Sequence, residues 1–128
     1  MQDPTSVFDW TSEPPPDAVL INLGTNDAGH DNGPAWEASF VAKYVAFMRN
    51  ITRWTSKPDI VFLCAVGAIS DRPLPWVERA MAAAPELNTV LVNMMGADLD
   101  GCGHPGLVGQ PAMAAIAIPI VGKALGWA

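Results

Sequence analysis

Asp17-Ala18-Val19-Leu20-Ile21-Asn22-Leu23-Gly24-Thr25-Asn26-Asp27 is the stretch that decides the fold. Residues 18–23 form a continuous apolar run of strand length, which suits a strand buried on both faces, as in a parallel sheet. The run stops at a glycine and then presents Asn26 and Asp27. Two polar groups are thereby set at the carboxyl end of a strand, where open α/β sheets bind ligands. About eighty residues later comes Asp98-Leu99-Asp100-Gly101-Cys102-Gly103-His104-Pro105-Gly106, a Gly-rich loop with one histidine ahead of an apolar helix.

Between these two stretches the pattern alternates. Loop residues 24–34 lead to Pro34, which suits a first helical position. Trp36, Phe40, Tyr44, Phe47 and Ile51 then recur every three or four residues, one stripe of an amphipathic helix that ends before Ser56-Lys57-Pro58. Residues 60–66 read as a second buried strand stopped by Gly67. Pro73, Leu74 and Pro75 open a short helix with Val77, Ala80, Met81 and Ala84 inward, stopped by Pro85. Residues 89–95 read as a third strand ended by Gly96, and residues 108–125 as a last helix with a kink near Pro119. Strands alternating with helices imply a parallel sheet with right-handed crossovers. The loops 24–32, 67–72 and 96–103 then surround one cleft. Residues 1–17, with Pro4, Pro14, Pro15 and Pro16, read as an extended lead-in whose Phe8 and Trp10 pack on the body.

The chain has 128 residues, a single domain's worth, and half of them are hydrophobic. A net charge of −6 disfavours nucleic acid, which calls for a basic patch, and there is no Lys/Arg cluster for anionic lipid. The longest apolar run, 111–122, is too short for a membrane span, and the acidic N-terminus is no signal peptide. The cellular compartment is not legible. Asn50-Ile51-Thr52 matches a glycosylation sequon, a triplet that also arises by chance. Cys64 is read as ending the second strand. It and Cys102 are either isolated thiols or, at one end of the sheet, a disulfide pair. His30 and His104 lack metal-ligand spacing, so neither a metal nor another cofactor is expected.

Gly24-Thr25-Asn26-Asp27 after an apolar strand, with the late Asp-x-Asp-Gly-Cys-Gly-His-Pro block, resembles the third and fifth signature blocks of SGNH (GDSL-type) hydrolases. The string from Pro16 to Asp27 is most similar to the carbohydrate esterases of family two, which remove acetyl groups from sugars. The Tyr44, Phe47 and Ile51 helix and the Val61-Phe62-Leu63-Cys64 strand fit that branch. The resemblance covers roughly residues 16–118. It implies a three-layer, flavodoxin-like α/β fold with a parallel sheet, and a small ester or O-acetylated carbohydrate as substrate. Asn26 then takes the family's oxyanion role and His104 its general-base role. The family places an Asp three residues before the His. Here that position is Gly101, so Asp100 or a backbone carbonyl orients the imidazole. Gly24, Thr25 and Asp27 would shape the substrate-binding loop, with His30 at its rim.

The family's first block, Gly-Asp-Ser, has no counterpart, nor has its second-block glycine. Of Ser6, Ser12, Ser39, Ser56 and Ser70, Ser70 alone falls in a loop on the correct edge, and nothing around it forms a nucleophile elbow. Three strands also leave one edge of an apolar sheet uncovered, where the N-terminal strand of such a fold sits. The sequence therefore reads as a lead-in (1–17) and a partial hydrolase domain (18–128), the C-terminal part of a longer esterase, expected to show little or no turnover alone. A catalytically inactive binding module that kept the cleft is the alternative. An unrelated flavodoxin-like domain ranks last, because no phosphate-binding loop is present.

Overall fold

The structure, a computed structural model, describes residues 14–29, 33–101 and 103–127. The expectations for Phe8, Trp10, His30 and Cys102 lie outside the described residues. Three parallel strands, β1 (Ala18–Ile21), β2 (Val61–Val66) and β3 (Asn88–Asn93), are ordered β1-β2-β3 across the sheet. Ala18 pairs with Val61, and Val61 with Asn88, so the three strands start in step. They are linked by α1 (Pro34–Thr55) and α2 (Leu74–Ala82), and α3 (Gly109–Leu125) follows β3. A single turn of 3-10 helix, residues 27–29, sits in the β1–α1 loop.

The two faces of the sheet hold separate cores. Ile21, Phe62, Cys64 and Val66 point toward α1 and α2, where they meet Tyr44, Met48, Ile51, Val77 and Ala80. Val61, Leu63, Ala65, Val92 and Met94 point the other way, toward Met113, Ala117, Ile120 and Val121 of α3. The alternation follows from the two-residue period of a strand. All six residues of β2 are buried, as the unbroken apolar run Ile60–Val66 requires of a strand covered on both faces. Each fully buried Val, Leu or Phe there contributes about 1.5–3 kcal/mol.

β1 departs from the expectation of burial on both faces. α3 packs against β3 and β2, and nothing among the described residues covers the outer part of β1. Leu20, which shares the α3 face with Ala18, is 53% exposed, and Leu23 beyond the strand is also 53% exposed. The strand ends at Ile21, two residues earlier than the apolar run, because Asn22 and Leu23 have left the ladder. β3 likewise ends at Asn93, whose side-chain oxygen accepts from the Met95 amide and turns the chain out of the sheet.

Pro34 occupies the first turn of α1, as the sequence implies, and Ser56 ends the helix in a left-handed conformation. The buried face runs through Tyr44, Val45, Met48, Ile51 and Thr55. Phe47, expected inside, is 40% exposed. At 22 residues α1 is about 33 Å long, against about 20 Å for a six-residue strand, so the helix overhangs the sheet. Trp36 and Phe40, near its start, stack on each other and on Trp76 of α2, with centroids 5.0–5.5 Å apart. Trp76 is 4% exposed and belongs to the inward face of α2 beside Val77 and Ala80. α3 runs on through Pro119.

Cys64 is not at a strand end. It is the fourth of six residues in β2, a free thiol wholly buried against Met48 and Tyr44. The Asn50-Ile51-Thr52 triplet lies inside α1. Ile51 is buried, Asn50 accepts from Arg53 and Thr52 donates to the Met48 carbonyl.

Candidate active site

Parallel strands bring the segments after β1, β2 and β3 to one edge of the sheet, and three close contacts weld them together. Gly24 has φ +109°, and a side chain there would lie 3.0 Å from Pro73 and 3.2 Å from Phe40. Arg72 donates from its guanidinium to the Ala28 carbonyl, tying the β2–α2 loop to the 3-10 turn. Gly67 has φ +97°, and a Cβ there would fall 2.8 Å from the Met95 amide nitrogen. The β1 loop therefore rests on the β2 loop, and the β2 loop on the β3 loop. Glycine is required at these two positions because only it adopts such backbone angles beside a neighbouring main chain.

Gly24-Thr25-Asn26-Asp27 forms the turn itself. The Gly24 carbonyl accepts from the Ala28 amide at 2.9 Å, and the Asn26 carbonyl from Gly29 at 3.3 Å. Gly24 is buried, Thr25 half-buried, and Asn26 and Asp27 exposed. Among the described residues no hydrogen bond engages the Asn26 side chain. The turn is closed by main-chain bonds alone, which leaves the Asn26 amide free to donate outward.

The loop after β3 is held from within. Asp100 adopts φ +58°, and its Oδ2 accepts from the Val108 amide at 2.9 Å. Its own amide donates to Asp98 Oδ1 at 3.1 Å. A Cβ on Gly106 would fall 2.3 Å from the same Oδ2, so the carboxylate lies across the His104-Pro105-Gly106 segment. Gly109 is buried, and a Cβ there would meet the Asp98 carbonyl at 2.8 Å, which locks the start of α3 to the loop. Asp100 is thus the brace of the loop that presents His104, and His104 itself is exposed.

Asn26 and His104 share an edge but belong to strands two places apart, about 10 Å between axes. The β2–α2 loop lies between them and carries Ser70. Its Oγ accepts from the Arg72 amide at 3.2 Å, a local turn bond. Ser39 is on α1, and Ser56 caps that helix at the opposite edge. Ser6 and Ser12 lie outside the described residues.

A cavity of about 240 Å³ opens beside the Asn26 turn, between β1 and the overhanging start of α1. Trp36, Phe40, Tyr44, Phe47 and Leu23 wall it, and Asp27, Ser39 and Lys43 supply its polar groups. The sequence reading took the aromatic stripe for core. The signal it passed over is Lys43, set on the same stripe, with Ser39 and Phe47 one turn away on either side. Burial pushes the Tyr44 hydroxyl well above the ordinary tyrosine range, and its proton is directed at the Ile21 carbonyl 3.4 Å away. Burial likewise raises the Cys64 thiol.

Among the described residues no three His, Cys, Asp or Glu side chains come together as a metal site, and no helix is long and apolar enough to cross a membrane. The architecture defines a layered α/β domain with its loops of interest at the carboxyl edge of a parallel sheet. No family model, curated protein or solved structure matches the chain.

Proposed function

We propose that this chain carries two of the three catalytic elements of an SGNH-type serine ester hydrolase acting on small esters or O-acetylated carbohydrates, in a flavodoxin-like layered fold. The observation that carries the reading is the Gly24–Asp27 turn. It closes through main-chain bonds and leaves the exposed Asn26 amide unengaged at the ligand-binding edge. In this mechanism a serine oxygen attacks the ester carbonyl as His104 takes its proton. Asn26 donates to the oxygen that becomes negative. The tetrahedral intermediate collapses, the alcohol leaves with the proton from His104, and water repeats the cycle on the acyl-serine. Asp100, by bracing the loop, sets the angle of His104. The serine is assigned to a strand laid against the bare edge of β1, outside the described residues.

A binding module without turnover is the second reading, favoured by the serines. Ser70 is engaged in its own turn, and Ser39 lies on a helix.

Two measurements test the proposal. Titration of the folded chain with an acetylated monosaccharide is expected to move the NMR signals of the Asn26 side-chain amide and the His104 ring. Silence at both overturns the site. Hydrolysis of p-nitrophenyl acetate then separates the readings. Turnover lost in His104→Ala assigns an enzyme with its nucleophile in this chain, Ser70 first, whereas binding without turnover by this chain is expected if the serine lies elsewhere. In a turnover-competent form Asn26→Ala lowers kcat about a hundredfold, the loss of one oxyanion donor. An active form indifferent to both substitutions leaves only the binding module.

A further inference from the structure

From the cavity beside the Asn26 turn, we infer that the site holds a ring-bearing carboxylate: one six-membered ring against the aromatic wall, its acid group at Lys43. The inference rests on the proposed reading only for what reacts, since it names the part of the substrate that is bound rather than the ester that is cleaved.

Three observations carry it. The cavity has room for one ring-sized group, and its wall is a helix stripe of aromatic rings, Trp36, Phe40, Tyr44 and Phe47, with Phe47 left 40% exposed at the mouth. Flat apolar faces of this kind hold sugar or arene rings by contact area and edge geometry. The polar groups are placed unevenly. Asp27 stands at the Asn26 end, and Lys43 stands on α1 with Ser39 one turn before it and Phe47 one turn after it.

Lys43 is also exceptional among the seven Lys and Arg residues of the chain. Arg49, Lys57 and Arg79 form ion pairs with Glu86, Asp17 and Glu37. Arg53 and Arg72 donate to Asn50 and to the Ala28 carbonyl. Lys43 has no partner among the described residues, and neither has Lys123, which lies on the far face of the sheet. In a chain of net charge −6, a cation left unpaired in a ring-lined cavity selects an anion on the ring it faces.

The test uses the full chain and four probes: benzoate and glucuronate as acids, benzyl alcohol and glucose as their neutral counterparts. Binding is followed through the Trp36 indole N–H signal. One acid of the pair is expected to bind more tightly than its neutral partner, and which one does so distinguishes an arene from a sugar ring. Lys43→Gln is expected to weaken that acid about three- to fivefold, the strength of one exposed ion pair, and to leave the neutral partner unchanged. Phe47→Ala, at a half-open position that the core does not need, weakens acid and neutral probe alike. Equal binding of acid and neutral probe, or an unaltered acid affinity in Lys43→Gln, reduces the cavity to an apolar hollow and overturns the inference. Absence of any binding by the folded protein at millimolar probe does so too. Binding is expected to persist in Asn26→Ala and His104→Ala. Acid binding without ester turnover would therefore sink the hydrolase reading alone, and turnover without acid preference would sink this one alone.

Discussion

Gly67 shows how far a single residue governs the active edge. Its φ of +97° and its approach to the Met95 amide put the β2 and β3 loops in main-chain contact. Gly67→Ala must move a backbone, since a Cβ would stand 2.8 Å from that nitrogen. The variant is expected to lose about 1–3 kcal/mol of stability, read as a lowered urea midpoint. An unchanged midpoint would mean that the loops are not welded in this way. Asn26 sits at the other extreme. It is exposed and unbonded through its side chain, so Asn26→Ala should leave that midpoint within about 0.5 kcal/mol. Asp100 illustrates what spacing alone misses. Four residues before the histidine it looked like an orienter in sequence, but its carboxylate oxygen is committed to the Val108 amide, a bond visible only once the loop is folded.

At the scale of elements, β2 was fully legible, because a strand covered on both faces must be apolar at every position, and it is. The end of β1 was not, since an apolar residue outside the ladder looks the same in sequence as one inside it. Leu23 is such a residue. The inward face of α1 was read one step off, at Phe47 instead of Met48, because two adjacent apolar residues satisfy the same helical period. Trp76 was overlooked since its partners, Trp36 and Phe40, come from a different helix. Of the site, the two loops and their shared edge were legible from topology. The cavity was not, because its wall is the overhang of one element past another. Tyr44 and Cys64, facing each other between α1 and β2, carry a pH signature. Burial raises both, so their neutral forms stabilise the fold fully below the unfolded values, about 8.5 for the thiol and about 10 for the phenol. That contribution is lost as pH rises through the folded values. The urea midpoint should hold from pH 7 to about 8.5 and then fall. Tyr44→Phe should flatten the alkaline part of the fall, and an equally steep one would remove Tyr44 from the account.

At the scale of the molecule, apolar surface is left on one side. Leu20 is half bare on the edge strand, and α3, almost devoid of charge, leaves Ile118 67% exposed. A strand edge flanked by apolar surface is a template for association. Sedimentation is expected to show mass rising with concentration, and Leu20→Lys with Ile118→Lys to suppress the rise while the melting temperature stays put. A monomer at every concentration would show that this side is tolerated bare.

The length of α1 has a last implication. Its later turns are clamped between sheet and α2, while Ser39, Lys43 and Phe47 stand on the free side of the helix. Replacing those three costs the fold little, yet it rewrites what meets a guest at the mouth. Robustness and taste reside in different turns of one helix, so a lineage can change its diet by mutating α1 without first having to become sturdier.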